Sequence, residues 1–510
     1  MDPSIGTDPA PPAAGEGPSL PPVVRIPLPA PPPGAVCSRL AQGVAAVARH
    51  VGPVAGRRAL RGRPARRPAL GTAGSTTVRA GAADALRAVF DDLGGTFTKF
   101  GQLIGSAPSL FGDDVAAAFR GCLDAGPQVP FADVRAQVER ELGGTLETRF
   151  AEFDEVPMAA ASLAVVHRAV LPDGTAVAVK VLRPGIETAV ATDIAIMRPL
   201  FGFVGRQIAV GMAATLPGLI EGLEEQITEE VDLRNEALAM QWFARAAGEM
   251  GLDRVRIPST VATHSSRRVL TMELLDGRPI DDLDHVERIG IDIRPGLEQT
   301  LKAWFATTLV HGVFHGDIHA GNLLVLTDGS IGVLDWGIVG RLDAETHRFF
   351  RRMVEATLGD EAAWDDVHTH LRSVYGTTLN DALGLDDAQV AALIRGQVEA
   401  VMTRPFGEVD LRMMMMSGPD GGGSPAPVAA ATRTRRERFQ AWREQRAVQR
   451  AMQESQGRGT AFDRATFLLS KQLVYLDRYG KMYLPDTPLI WDPAVFHALL
   501  AEPVAGADPA

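Results

Sequence analysis

Residues 312–325 read GVFHGDIHAGNLLV, with His311 immediately before them. His311, His315 and His319 are four apart, a spacing that stacks side chains on one face of a helix and suggests a metal site. Gly316 and Gly321 disfavour a continuous helix by about 1 kcal/mol each, and without it the spacing loses its geometric meaning. No further His or Glu stands at the spacing of a zinc peptidase. Read as a turn, the stretch offers Asp317 and Asn322, five apart. A phosphotransferase uses such a pair to accept a hydroxyl proton and to ligate Mg2+. This second reading decides the fold. It leaves His315 to pack behind the loop and His319 to touch phosphate or orient the loop.

Working outward, Asp335 follows in LDWG, at the end of a β-prone run and two residues before Gly337. A carboxylate there can project onto a metal that bridges nucleotide phosphates. Upstream, Lys180 interrupts the apolar run AVAVKVL (176–182), which is paired through the turn LPDGT with the strand before it. A lysine on an inward strand face must meet an anion. Glu236, in the helical stretch EEVDLRNEAL, is the candidate partner that would hold Lys180 while it touches the α- and β-phosphates. Each motif is weak alone. Lys, Glu, HxDxxxxN and DxG in one order are specific to a phosphotransferase site.

The 510 residues exceed a single simple core, so the expectation is one two-lobed catalytic unit with appendages. Apolar content of 46% and charged content of 22% fit a globular protein, and a net charge of −11 argues against general nucleic-acid binding. Charge is uneven: residues 1–80 hold ten Arg against three acids. With two cysteines, Cys37 and Cys122, there is no disulfide framework, and a cytoplasmic setting is expected. The apolar stretch 199–220 carries Arg206, Gln207 and Pro217, which suit a buried or interfacial helix better than a spanning one.

The expected order is a disordered Pro-rich tail (1–36), a helical extension (37–149), a sheet-bearing lobe (150–275) and a helical lobe (276–416). A linker (417–432) and a C-terminal helical segment (433–510) follow, the latter opening on a basic stretch at 433–450. The fold class is thus α+β and two-lobed. ADALRAVFDDLGGTFTKFGQLIGS reads as helix, and strands are expected at 256–264 and 267–275.

In this order the motifs resemble the AarF/UbiB family of atypical kinase-like proteins, also called the ABC1 kinases. MAAASLAVVHRA is similar to that family's Ala-rich loop, which stands where protein kinases carry a Gly-rich one; it places Ala159, Ala160, Ala161 and Ser162 at the nucleotide. TKFGQ supplies Lys99 and Gln102 of a KxGQ signature, and Glu230 with Asp232 match an ExD motif. The resemblance implies that Lys99 and Gln102 fold over the pocket and pair with the ExD carboxylates. It implies an ATP- and Mg2+-binding kinase or ATPase with Asp317 as base and Asn322 and Asp335 on the metal. Met272, Glu273 and Leu275 would then line the adenine in the connector. A link to isoprenoid quinones such as ubiquinone, a lipid or prenylated ligand and peripheral membrane contact also follow from it. Ile318, Ala320 and Trp336 depart from the family pattern, and HGD with DWG also resembles aminoglycoside and choline phosphotransferases. A nucleotide-dependent scaffold is the third reading.

Overall fold

Along strand β4 (Ala176–Leu182) the side chains alternate. Val177, Val179 and Val181 are wholly buried on one face, and Ala178, Lys180 and Leu182 occupy the other. The valines pack with Val134, Val138 and Leu142, whereas Ala178 and Leu182 belong to the larger core that runs through both lobes. The period of two therefore turns Lys180 inward, towards the interlobe side.

The computed structural model describes residues 23–51, 73–106, 111, 113–119, 128–208, 212–375, 380, 385–409 and 464–501. An N-terminal helical layer contains α1 (Pro33–His50), α2 (Ala73–Leu93) and α3 (Gly95–Ser106), and α4 (Phe131–Leu142) leads into the sheet. The first sheet comprises β1 (Glu152–Phe153), β2 (Ala159–Ala160), β3 (Ala164–Val170), β4 (Ala176–Leu182) and, beyond three helices, β6. Those helices are α5 (Ile186–Ile208), α6 (Met212–Glu230) and α7 (Leu233–Glu249). After β5 (Val255–Arg256), β6 (Val269–Glu273) pairs antiparallel with β4, setting Leu270 opposite Lys180.

The helical lobe holds β7 (Gly277–Pro279), α8 (Arg294–His311), β8 (Val313–His315), β9 (Leu323–Leu326), β10 (Ile331–Val333) and β11 (Val339–Arg341). Its order in the second sheet is β5-β10-β9-β7, and β8 pairs with β11 in a third. Helices α9 (Ala344–Thr357), α10 (Glu361–Tyr375), α11 (Asp387–Thr403), α12 (Arg464–Tyr483) and α13 (Pro493–Ala501) complete it. This is the two-lobed α+β arrangement of the protein-kinase class.

Four sequence expectations need correction. The helix read across ADALRAVFDDLGGTFTKFGQLIGS (83–106) is two helices, broken where Gly94 and Gly95 take φ of +62° and +52°, values open to glycine at little cost. The strand expected over 256–264 shrinks to Val255–Arg256, since Pro258 removes a donor and restricts Ile257. Its companion is Val269–Glu273 rather than 267–275. Disorder through residue 36 does not hold from residue 23 onward. Val24 exchanges both backbone hydrogen bonds with the Asn235 side chain (2.7 and 2.9 Å), Arg25 reaches Glu229 at 3.0 Å, and helix α1 starts at Pro33. The 417–432 linker, the basic stretch at 433–450 and Cys122 lie outside the described residues. No described helix is long and apolar enough to cross a membrane.

Three buried histidines give the fold a pH signature. His167, His315 and His347 are 1%, 3% and 7% exposed, and each ring meets a backbone carbonyl. Burial lowers all three pKa values, against the smaller opposing pull of those carbonyls. The unfolded chain takes up protons near pH 6.5 that the folded chain refuses, so stability falls as pH drops below that value. Glu236, pushed up to about 7, and Asp193, also raised by burial, work in the opposite sense, two groups against three. The Tm is expected to fall by at least about 2 °C between pH 7.5 and 5.5. A Tm that holds or rises over that interval contradicts this reading.

Candidate active site

Gly312 ends α8 directly after His311, with φ of +64° and its N–H on the Thr308 carbonyl. His311 therefore closes a helix, His315 ends strand β8 and His319 stands in the following turn. The three rings share no helical face. His315 is structural here: Nδ1 accepts from the Asp317 N–H at 3.0 Å and Nε2 donates to the Leu334 carbonyl at 3.0 Å. One buried ring thus ties the Asp317 loop to the residue before Asp335. His319 orients the same loop by accepting from the Gly321 N–H at 3.0 Å.

Asn322 is fixed by its own loop. Its Nδ2 donates to the Asp317 carbonyl at 2.9 Å, which leaves Oδ1 for other use, and its carbonyl accepts from the Leu334 N–H at 2.8 Å. Asp335 is the one non-glycine residue of positive φ among the described residues, at +53°. A conformation of that kind costs on the order of 1–3 kcal/mol and persists where its surroundings hold it. Trp336 is the anchor. Its indole N–H donates to the Val333 carbonyl at 3.0 Å, and its ring lies 4.3 Å from Phe243 of α7 and 4.4 Å from His315. The tryptophan found where the family pattern has phenylalanine thus gains a hydrogen bond and couples the Asp335 turn to the helix that bears Glu236.

Lys180 lies between the two lobes' carboxylates. Its Nζ is 2.8 and 2.9 Å from the two Glu236 oxygens and 2.9 Å from Asp335 Oδ1. Burial opposes its charge, but Asp335 and Glu236 outweigh burial and raise its pKa. Burial pushes Glu236 up to about 7 against the pull of Lys180, with Asp335 and Glu230 adding to the rise. Asp335 is half open, and despite burial Lys180 holds it below the usual carboxylate range. The short Lys180 contacts favour the ionised form of both carboxylates.

The other expected residues fall as follows. Glu230 meets Lys99 at 2.6 Å and Gln226 at 2.9 Å, so one ExD carboxylate pairs with the extension. Asp232 does a different job. It caps α7 through the Arg234 N–H and is held by the guanidinium of Arg234 at 2.7 Å, with Arg267 at 3.8 Å. Gln102 sits half-buried one turn after Lys99 on α3. Ala159 and Ala160 form β2, exposed and paired with Val166 and Val165, so the loop tip is confined to Ala161–Leu163. There Arg183 donates to the Ala161 carbonyl at 2.7 Å and Ser162 is buried. Met272 and Glu273 end β6 and Leu275 starts the connector; the Glu273 carboxylate turns aside to Ser259 at 3.2 Å.

Sequence reasoning missed Lys471 of α12, whose Nζ is 2.7 Å from Asp317 Oδ1. Nothing in its local sequence marks it, since the contact bridges residues 154 apart. Burial would lift the Asp317 carboxyl, but Lys471, with His319 and Lys99 further off, brings it below the usual range.

A lysine held by a helix glutamate under a small sheet, with an HxDxxxxN loop and a DxG turn side by side in the helical lobe, defines the protein-kinase-like class. Residues 122–365 match the model of the ABC1 atypical kinase-like domain. An aarF domain-containing protein kinase of Arabidopsis thaliana, described as uncharacterized and chloroplastic, is 32% identical over 412 residues, 80% of this chain and 73% of that protein. An uncharacterized Mycobacterium tuberculosis protein is 37% identical over 270 residues, and a probable protein kinase UbiB of Marinobacter nauticus 33% over 273. Of these two the chain spans 55% and 50%, and 53% of this chain is covered in each case. A Mycobacterium tuberculosis protein solved as a complex with erythromycin is 22% identical, with a TM-score of 0.43 over 77% of this chain and 96% of that one. The chain belongs to the ABC1 (AarF/UbiB) family of atypical kinase-like proteins.

Proposed function

We propose that the protein is an ATP- and Mg2+-using atypical kinase or ATPase that serves isoprenoid-quinone or other lipid metabolism. The observation that carries this reading is the meeting of Lys180 with Glu236 of the sheet-bearing lobe and Asp335 of the helical lobe, next to the loop that bears Asp317 and Asn322.

The donors fit Mg2+. Asp335 and the free Oδ1 of Asn322 are hard oxygen ligands. Among the described residues no group of three or more His, Cys, Asp or Glu could hold an ion. Two protein oxygens completed by phosphate oxygens and water are what Mg2+ takes in nucleotide sites. The metal would neutralise the charge that develops on the transferred phosphoryl group. Lys180 would bind the α- and β-phosphates, and Glu236 would orient it. Ala161 and Ser162 would cover the phosphates, and the backbone from Met272 to Leu275 would meet the adenine. Asp317, ionised, would accept the proton of the attacking hydroxyl or water. Lys99 and Gln102 of the extension, with Glu230 holding Lys99, would close the pocket, which favours a small acceptor, water included, over a protein one. The lipid link comes from the family resemblance.

The test is phosphate release from ATP·Mg2+, with and without anionic lipid vesicles and a prenylated phenol. Release that rises severalfold with lipid is expected. Phosphate recovered on an amino sugar would make the protein a small-molecule phosphotransferase, and nucleotide binding with no release would make it a scaffold.

A further inference from the structure

Lys471 comes from outside both the motifs above and residues 122–365, the span of the family match. Helix α12 presents it rigidly. The wholly buried Gln472 accepts from the Ile318 N–H at 2.8 Å and donates to the Gly316 carbonyl at 2.6 Å. Tyr479, equally buried, donates to the Ile318 carbonyl at 2.9 Å. These three bonds grip the backbone on either side of Asp317. Leu468, Leu469, Leu473 and Leu476 bury the same helix face. An ammonium beside such a surface is costly to desolvate, and an apolar side chain would pack there more cheaply.

Position supplies the reason for a cation. A hydroxyl within reach of a base lies about 2.6–3.2 Å from it, and a near-attack oxygen lies about 3–3.5 Å from the atom it attacks. The transferred phosphorus therefore comes within roughly 6 Å of the Asp317 carboxylate, and Lys471 Nζ is already 2.7 Å from that group. Lys99, on α3 in the N-terminal flank, is held at 2.6 Å by Glu230. A lysine from each flank of the chain thus meets a carboxylate of the motifs above.

We propose that Lys471 is a phosphate-binding residue that holds the terminal phosphoryl group of ATP beside Asp317, an inference that rests on the nucleotide reading above. In the transfer the bond from the terminal phosphorus to the ADP oxygen breaks and its electron pair leaves with ADP. The acceptor oxygen bonds to that phosphorus, and the acceptor's proton passes to the Asp317 carboxylate. Lys471 keeps its proton throughout and only donates hydrogen bonds.

The experiment compares wild type, Lys471→Met and Lys471→Arg. Affinities for ATP and ADP are measured by calorimetry, in Mg2+ and again in EDTA, alongside ATP turnover and Tm. Methionine matches the lysine stem and suits a leucine-lined helix. With Lys471→Met, ATP affinity should fall about tenfold while ADP affinity stays within about twofold, and kcat should fall about a hundredfold. Lys471→Arg should regain most of the ATP preference. Equal loss of both nucleotides with a lowered Tm would make Lys471 purely structural and overturn the proposal. Unchanged discrimination and kcat in a folded Lys471→Met protein would overturn it as well while leaving the nucleotide reading intact. Absence of binding of either nucleotide by the wild type would overturn both.

Discussion

Asp335→Asn is expected to lower Mg2+-dependent phosphate release by about a hundred- to a thousandfold, while its Tm stays within about 2 °C of wild type. The first half follows from the metal. A bound ion that stabilises developing phosphoryl charge is worth several kcal/mol, and each 1.4 kcal/mol is about tenfold in rate. The second half follows from the backbone. Asp335 sits at φ +53°, where most residues are strained but Asn, like Asp, is among the non-glycine residues that enter most readily. The amide oxygen can still accept from Lys180, so the bridge across the lobes survives with one charge fewer. Parallel assays of phosphate release and thermal melting decide it. Turnover retained in Asp335→Asn would sink the assignment of the metal site, and a collapsed Tm would make this carboxylate structural.

Lys180→Met should lose both nucleotide affinity and stability. Glu236 is only 3% exposed in its side chain, and removal of the ammonium leaves it buried with Asp335 as a second anion nearby. Breaking such a pair costs about 3 kcal/mol once the half-open Asp335 side is discounted, a Tm loss of roughly 3–4 °C for a chain of this length. The loss should depend on pH. Without Lys180 the Glu236 carboxyl, already raised, rises further above its unfolded value. The folded protein then keeps a proton that the unfolded chain gives up, so stability falls as pH rises through the folded pKa. The deficit should therefore be larger at pH 8 than at pH 6. Equal deficits at the two values would mean that Glu236 is held by something other than Lys180.

Much of the lobe architecture was legible because its signals are local. AVAVKVL shows the period of two, the glycines of GVFHGDIHAGN break the helix that the histidine spacing suggests, and LPDGT makes the β3–β4 turn. Lys180 and Glu236 could be paired from their order, and they meet at 2.8 Å. Other features were not local. The Pro-rich run from residue 23 looks as though it has nothing to bury, yet it docks because one distant amide, Asn235, matches its backbone. Asp232 has the residue type of a gate, but the helix start behind it claims the carboxylate. Lys471 stands in an ordinary amphipathic helix and gains meaning only from the side chain it faces.

Glu229 accepts from Arg25 at 3.0 Å and from Arg464 at 3.1 Å, immediately beside the Glu230 that takes Lys99. Two consecutive residues at the end of α6 thus collect cations from the beginning of the described chain, from its helical extension and from the opening of α12. The stretch that continues into the Glu236 helix works as a junction box, in which the two flanks register against each other and against the helix that holds Lys180. A fragment cut to residues 122–365 keeps all the carboxylates and loses every one of those three cations. The smallest fragment that keeps this junction is therefore larger than the domain by which the family is recognised.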